Sequence, residues 1–439
     1  SPYVLETWVL FVKILPAFYG ALTCVAMFFL GKELFKGKYE RMAGLFAGIL
    51  AAVVPSFVYR TMGGFFEDDS FGFLWMVLGF FFFVQAVREP ELSKKKFIQA
   101  ILAGAGFALM VFSWSGYNQL IPVFLGVGFV QFLVWVNENE LHKAKAYAAL
   151  WGTSFAILAL AATYVTGTGW LSQFGTIVGN LFFKSELFWY HTVGLIVLVF
   201  LIAGLLWKLK KTGNPQYGKW IGYGYGFLIL LMVFSPLLVS VFNVSLQTGD
   251  VLGQTVGEES QGKTYFGNKY SVLFLYAVIG IPLMGYLLLR KSRHYEFLAV
   301  PLVWVILVFF MAWGKLKFTY YWGLPLALTG AVVLTLLWKK VENLSISTQK
   351  ISLLILGFFM LSSLAAGIVF VTQNVPNIET SPGWKDALFW SNQNLPEDAA
   401  FFNWWDEGHW ISFLANRKVL IDNRNVDTKA ATAVARFLL

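Results

Sequence analysis

The sequence predicts an α-helical, polytopic membrane protein with about twelve transmembrane helices, followed by the start of a mixed α/β domain outside the cytoplasm. The first observation is composition: 58% of the 439 residues are hydrophobic, 13% are charged, and the mean hydropathy is +0.65. Soluble domains are about 45–50% apolar and about 25% charged. The second is that basic residues are concentrated in alternate loops, and the third is a change to polar composition after Val371.

Transmembrane spans are predicted where an apolar run approaches the roughly 20 residues that a helix needs to cross the hydrocarbon core. Twelve runs fit this description, and no internal repeat is evident among them. They cover residues 14–30, 42–59, 71–87, 97–117, 120–136, 147–165, 189–207, 221–242, 271–289, 297–312, 319–338 and 351–371. The tenth run is short, and polar residues interrupt the end of the fourth.

Basic residues predict the orientation of these spans. Alternate loops together carry about twenty Lys and Arg residues, and the intervening loops carry about six, so the positive-inside rule places the first set in the cytoplasm. The net charge of +9 is explained by these loops, which argues against a nucleic-acid-binding protein. By parity of the spans, loops 60–70 and 243–270 and the segment 372–439 are predicted to lie outside the cytoplasm, while 1–371 forms the transmembrane domain.

The first chemical feature is the segment from Arg60 to Asp69, in which Glu67, Asp68 and Asp69 follow one another at the junction of an external loop and a span. Carboxylates near a membrane boundary are costly unless they are paired, solvated or bound to a metal. Acids at this density are suitable ligands for a hard divalent cation such as Mg²⁺ or Mn²⁺. The alternative is a solvated loop end with Arg60 as counter-ion.

Two further features lie in other external loops. Thr255-Val-Gly-Glu258-Glu259 is acidic, and a long loop of this kind is often functional; the alternative is a solvated turn. Lys315 and Lys317 are outer-face lysines that run against the topology trend, so a phosphate or lipid head group would explain them. Snorkelling anchors are the alternative for the lysines.

The fourth feature is the patch around Trp404, Trp405, Asp406, His409 and Trp410 in the polar segment. Indole N–H groups and carboxylate oxygens can bind a hydroxyl or an amide. A tryptophan-rich core edge with a packed histidine is the alternative. The predicted topology, argued without these features, puts all four on the same side of the membrane.

At the fourth feature the sequence resembles a known family. Trp404-Trp-Asp-Glu407-Gly408 resembles the WWDYG signature of the catalytic subunit of oligosaccharyltransferase, the enzyme of asparagine-linked protein glycosylation, with Glu407 in place of Tyr. The residues that follow are similar to the archaeal branch. The segment ending at Asp69 resembles the family's second acidic motif, with Glu67 where the family has a metal-binding Asp.

The resemblance extends to the remaining features. Thr255-Val-Gly-Glu258 resembles the external-loop Thr/Ser-x-x-Glu motif, and Lys317-Phe-Thr resembles an Arg-Phe-Thr/Ser segment whose Arg faces the lipid pyrophosphate. Lys317 keeps that charge but lacks the bidentate fork of Arg. The family implies the GT-C type of glycosyltransferase architecture. It also implies thirteen spans, so the first span, the first acidic loop and most of the C-terminal domain are expected to be missing here.

The resemblance implies en bloc transfer of an oligosaccharide from a polyprenyl (dolichyl) phosphate or pyrophosphate to the Asn of Asn-x-Ser/Thr. Glu67 and Glu258 would be catalytic and, with Asp69, would hold Mn²⁺ or Mg²⁺. Lys317 and Arg60 would bind the lipid pyrophosphate. This implies a multi-pass, single-subunit enzyme of the cell membrane, with its active site on the extracytoplasmic face.

The acceptor side is implied in the same way: Trp404, Trp405 and Asp406 would bind the Ser/Thr hydroxyl of the acceptor polypeptide. Two alternatives remain open. Another polyprenyl-phosphate-sugar transferase, such as a protein O-mannosyltransferase, would share the external acids but does not need the WWDxG pocket. A transporter would show broken helices in matched halves and polar residues at mid-membrane, whereas the charged residues here crowd the outer boundary.

Overall fold

The computed structural model describes residues 2–114, 117, 119–137, 141–167, 270, 273–290, 295–314, 316–373, 382–422 and 428–438. These residues belong to two compact units, one containing the described residues up to 373 and the other those from 382 onward. The predicted spans 189–207 and 221–242, the loop motif with Glu258, and Lys315 lie outside the described residues.

Helices make up the first unit. In chain order they are α1 (Pro2–Glu33), α2 (Glu40–Val53), α3 (Pro55–Thr61), α4 (Asp69–Val87), α5 (Lys94–Ser113), α6 (Leu120–Asn137), α7 (Leu141–Thr166), α8 (Phe274–Arg290), α9 (Ala299–Gly314), α10 (Lys317–Val341) and α11 (Ile346–Gln373). Short 3₁₀ turns at Gly37–Tyr39 and Glu296–Leu298 precede α2 and α9.

Among the described residues, six helices are long and apolar enough to cross a bilayer, and a bent pair formed by α2 and α3 raises the number to seven. Three shorter apolar helices, Leu120–Phe132, Phe274–Leu288 and Ala299–Trp313, coincide with three more predicted spans. The prediction of a multi-pass helical membrane protein is therefore confirmed. The described helices do not by themselves establish the predicted number of twelve transmembrane spans.

The predicted span 42–59 corresponds to a bent pair of helices, α2 and α3. Its two halves meet at an angle of 66° at Val54, where the backbone is extended. Pro55 starts α3 and explains the break, because proline lacks the N–H that would bond Ala51 and its ring clashes with that carbonyl. The bend gives α3 a different direction from α2, and Arg60 lies in the last turn of α3.

Aromatic side chains form much of the core of the first unit. The Phe124 ring lies 4.8 Å from Phe83 and 4.7 Å from Phe107 between centroids, and Phe80 lies 4.6 Å from Trp304. These rings come from α4, α5, α6 and α9 and are fully buried or nearly so. Contacts of this type add to the burial energy of large side chains, so they fix these four helices against one another.

The second unit combines α12 (Pro382–Asn394), α13 (Thr428–Leu438) and two short strands, β1 (Ala400–Phe401) and β2 (Lys418–Val419). The strands pair in parallel, with Ala400 opposite Lys418. Buried Arg417 donates from its guanidinium to the carbonyls of Asn392 and Leu395, which satisfies the end of α12. The described part of this unit therefore mixes helices and strands, as predicted.

Candidate functional site

The acidic loop connects α3 to α4 and brings its charged residues back toward Arg60. Gly64 has a φ of 92°, which favours glycine, and its N–H donates to the carbonyl of Lys13 at 2.7 Å. Glu67 follows this turn, and Asp69 is the first residue of α4. An acidic residue there is stabilised by the positive end of the helix dipole, so the fold supplies a reason for the position of Asp69.

Arg60 lies at the centre of this cluster. Arg60 is only 1% exposed. Its guanidinium forms ion pairs with Glu67 and, at 3.4 Å, with Asp69. The guanidinium carbon also lies 4.0 Å from the ring centre of Tyr320 and 4.9 Å from that of Phe65. Burial of a cation is costly unless it is paired and hydrogen-bonded, so the two acids and two rings account for an arginine at this depth.

The two carboxylates differ in their exposure. The Glu67 side chain is 45% exposed, whereas Asp69 is 6% exposed. Asp69 has a donor on each oxygen: Oδ2 faces Arg60, and Oδ1 accepts a hydrogen bond from the Tyr321 hydroxyl. Asp69 is therefore held rigidly, while Glu67 presents part of its carboxylate at the surface of the unit.

Tyr321 lies four residues after Lys317 of the third sequence feature, and the structure brings it into contact with the first feature. The Tyr321 ring stacks on Trp114 with centroids 3.9 Å apart and an interplanar angle of 19°, and it lies 4.7 Å from Phe73. Lys317 is the first residue of α10 and is partly exposed. Two motifs separated by about 250 residues thus meet within one unit.

Tyr320 and Tyr321 are functional candidates that sequence reasoning missed. Both follow directly after the Lys317-Phe-Thr segment, and the sequence motifs assign neither a role. One signal was present: Tyr321 is four residues after Lys317, which puts the two on the same face of a helix. The contact with Asp69 could not be read from spacing, because the two partners belong to different helices.

The tryptophan patch occupies the second unit. Trp405–Glu407 forms a 3₁₀ turn that continues into helical turns through Ala415. Trp404 and Trp405 lie with ring centroids 6.2 Å apart and pack against Ile421 and Val434. Thus the structure brings Trp404, Trp405 and Asp406 together in one turn, and part of each indole serves the small core that was the alternative interpretation.

Gly408, the last residue of the WWDxG pattern, is required by a close approach of two segments. A Cβ at this position would lie 2.4 Å from the carbonyl oxygen of Ile421. Asn403 closes the same junction, donating to the carbonyls of Trp404 and Ile421 at 2.7 and 2.8 Å. The pattern is therefore a structural unit in which glycine allows the turn to pack against the strand-end segment.

Polar groups of this turn are suited to binding a small hydroxyl. Within the described residues the indole N–H of Trp405 is buried and has no hydrogen-bond partner. The Trp404 side chain lies close enough to the Asp406 carboxylate to favour its charged form. Partial burial raises the pKa of Asp406, and the neighbouring charge of Glu407 adds to this. An unsatisfied buried donor costs free energy, which a hydroxyl ligand would recover.

The metal prediction depends on the acids of the first unit. Carboxylate oxygens of Glu67 and Asp69 have the hard-donor chemistry that Mg²⁺ and Mn²⁺ prefer. Within the described residues, however, no three Asp, Glu, His or Cys side chains form a group that could hold an ion. The predicted third protein ligand, Glu258, lies outside those residues. The donor set thus fits a cation in chemistry, and the complete site stays a prediction.

Comparison with known proteins gives consistent matches. The sequence model of the family described as oligosaccharyl transferase STT3, N-terminal, matches residues 9–374. Dolichyl-phosphooligosaccharide-protein glycotransferase 3 of Archaeoglobus fulgidus is 24% identical over 92% of this chain and 52% of its own length. Glycotransferase 1 of Pyrococcus furiosus is 23% identical over 93% of this chain and 43% of its own length.

Solved structures are similar in fold. The archaeal oligosaccharyltransferase AglB from Archaeoglobus fulgidus, determined with an inhibitory peptide and a dolichol-phosphate, superposes with a TM-score of 0.68 at 20% identity. The match covers 98% of this chain and 57% of that protein. The chain thus spans about half the length of the relatives that it matches.

Proposed function

The chain belongs to the oligosaccharyl transferase STT3 family, and from that membership we propose that it transfers an oligosaccharide from a polyprenyl-phosphate-linked donor to asparagine in Asn-x-Ser/Thr sequons. The observation that carries the proposal is the meeting of the Arg60–Asp69 loop with the Lys317 helix through Tyr321 and Asp69. An acidic centre and a phosphate-binding lysine then share one site. The printed names of the relatives describe the same donor and reaction class.

The donor side of the proposal assigns the lipid phosphate to Lys317. This residue begins α10, and the N-terminus of a helix favours anions through its exposed N–H groups and dipole. A lysine there adds a second positive charge, which an anionic ligand would offset. Arg60 is a further phosphate-binding candidate in the proposal, although its described contacts are to the acids and rings of the loop.

The reaction forms a bond between the Asn side-chain nitrogen and the anomeric carbon and breaks the bond from that carbon to the phosphate oxygen. The amide loses one proton, which balances the charge of the departing phosphate. An amide nitrogen is a poor nucleophile because its lone pair is delocalised. Glu258 and Glu67 would hydrogen-bond the amide and weaken that conjugation. Mn²⁺ or Mg²⁺, held by Glu67, Asp69 and Glu258, would supply stabilisation of the charge on the departing phosphate.

The acceptor side assigns the sequon hydroxyl to the turn of Trp404, Trp405 and Asp406. The buried indole N–H of Trp405 and the carboxylate of Asp406 are a donor and an acceptor that a Ser or Thr hydroxyl can satisfy together. A pocket built to bind a hydroxyl strongly rejects a ligand without one. This accounts for the requirement for Ser or Thr in the proposed acceptor.

The architecture proposed is a GT-C membrane domain of twelve spans with the active site on the extracytoplasmic face of the cell membrane. The distribution of basic residues supports that orientation. The enzyme would work as a single subunit, with membrane lipid around it and the lipid-linked donor and the acceptor polypeptide as its partners.

Transfer to short peptides tests the proposed function. The protein, supplied with a lipid-linked oligosaccharide and Mn²⁺, is expected to glycosylate an Asn-x-Thr peptide but not the matched Gln-x-Thr or Asn-x-Ala peptides. Mass spectrometry of the peptides measures the product and its attachment site. Modification of Thr in the Gln-x-Thr peptide would instead favour the O-mannosyltransferase alternative, and no transfer to any peptide would contradict both.

Replacing Asp406 by Ala is expected to raise the KM for the acceptor peptide by about 10- to 100-fold, because a charge-assisted hydrogen bond to the sequon hydroxyl is lost. The KM for the lipid donor should remain within about twofold, the range of a surface change. Initial rates over a matrix of both substrates separate the two constants. Exposed Asp398 of the same unit gives the matched control, Asp398→Ala. A change confined to donor KM would mean that the pocket is misassigned.

A further inference from the structure

Tyr321 is held both by its ring and by its hydroxyl. Its ring lies between Trp114, stacked at 3.9 Å, and Phe73, tilted at 4.7 Å. These two neighbours come from the end of α5 and from α4. Together with α10, which carries Tyr321, three helices therefore fix the position of the phenol. Its hydroxyl donates to Oδ1 of Asp69, a carboxylate that is 6% exposed. A buried charged acceptor makes this hydrogen bond stronger than one between neutral groups.

The hydrogen bond orients the Asp69 carboxylate. Arg60 faces Oδ2 from α3, and Tyr321 donates to Oδ1 from α10. With a donor on each oxygen, the plane of the carboxylate is set by two helices on different sides. Loss of the Tyr321 hydroxyl would remove the donor to Oδ1, and the orientation of the carboxylate would then be less constrained.

Tyr321 also relates the acid to the lysine. Lys317 begins α10 and Tyr321 follows one helical turn later, about 6 Å along the axis. The preceding residue, Tyr320, lies under the guanidinium of Arg60 at 4.0 Å. Two consecutive tyrosines of α10 therefore contact the two partners of one buried ion pair, so the start of α10 cannot shift relative to Asp69 without breaking both contacts.

We propose that Tyr321 is a positioning residue for glycan transfer, which orients Asp69 and fixes its distance from Lys317. This inference rests on the proposed function, in which Asp69 belongs to the acidic centre and Lys317 contacts the phosphate. Tyr321 touches neither substrate. It acts through Asp69, so its hydroxyl contributes to the rate of the chemical step and little to the binding of either substrate.

The test is Tyr321→Phe in the full chain, which removes the hydroxyl and keeps the ring contacts with Trp114 and Phe73. We expect kcat to fall by about 10- to 100-fold, the range for losing a hydrogen bond to a charged group. The KM values for donor and sequon peptide should each change by less than about threefold, because binding groups are retained. Initial-rate kinetics and the thermal midpoint are measured on the same preparations.

Tyr276→Phe is the matched control, since it removes another buried tyrosine hydroxyl. That hydroxyl lies 3.3 Å from the Ser363 hydroxyl rather than against an acidic side chain. It is expected to lower the thermal midpoint by no more than Tyr321→Phe does and to leave kcat unchanged. If the unmodified protein transfers glycan and Tyr321→Phe has the same kcat as Tyr276→Phe, the inference is overturned and the proposed function stands. If the unmodified protein transfers nothing, both are overturned.

Discussion

Substituting Gln for Glu67 is expected to lower kcat for glycan transfer by about 10²- to 10³-fold, the loss seen when a group that stabilises developing charge is removed. Glutamine keeps the size of the side chain but has no negative charge to hold a divalent cation or to balance Arg60, with which Glu67 is paired. The measurement is the initial rate of transfer to an Asn-x-Thr peptide at saturating donor and Mn²⁺.

Asp68→Asn is the matched control for that experiment because the residue is the adjacent acid of the same loop and is exposed. Asp68 precedes α4 and its side chain makes no capping hydrogen bond, so the change to Asn does not remove a helix cap. Its kcat should stay within about twofold of the unmodified protein. Equal losses from the two substitutions would show that the charge of the loop matters in general, which would contradict the specific assignment of Glu67.

Replacing Arg60 by Leu is expected to destabilise the protein by about 3–5 kcal/mol, the cost of breaking a buried ion pair by removing one partner. Arg60 is 1% exposed, and Asp69 would keep a charge at 6% exposure without its cation. The lost stacking on Tyr320 adds to the effect. Unfolding of the purified protein in detergent, followed by heat or denaturant, measures the difference.

Two further variants isolate the reason for that loss. Lys36→Met breaks an exposed pair with Glu89, whose side chains are 44% and 76% exposed, and should cost less than about 1 kcal/mol. The double variant Arg60→Leu/Asp69→Asn should recover part of the stability, since the stranded charge is gone. If the Arg60→Leu protein had the same unfolding midpoint as the Lys36→Met protein, Arg60 would not belong to a buried, charge-balanced cluster.

Most of the candidate site could be predicted from the sequence, because its residues occur in short, ordered motifs. Glu67, Asp69, Lys317 and the Trp404 turn were identified in this way, and family membership confirms the resemblance on which their roles rest. The structure supports the alternative in which Arg60 is a counter-ion, because it pairs with Glu67 and Asp69. That alternative placed Arg60 in a solvated loop, whereas Arg60 is buried. Burial depends on which rings cover a side chain, and no local motif contains that information.

The transmembrane helices also show features that the sequence predicts and features that only packing decides. Apolar runs located α4, α5, α7 and α11 because each helix must satisfy its own backbone in lipid, which makes the signal local. The bend at Pro55 was marked by a proline but could have been a mild kink. Its angle is set by packing of α3 against neighbouring helices, which the sequence pattern does not reveal.

Thus the sequence by itself determined the membrane class, the order of the motifs and the types of charged groups available, since hydropathy and charge act within a few neighbouring residues. Only the tertiary structure decided that Tyr321 donates to Asp69, that Tyr320 lies against the Arg60 guanidinium, and that Arg60 is buried. Those contacts join positions about 250 residues apart. Their geometry follows from how helices pack side by side, an outcome of many weak contacts together.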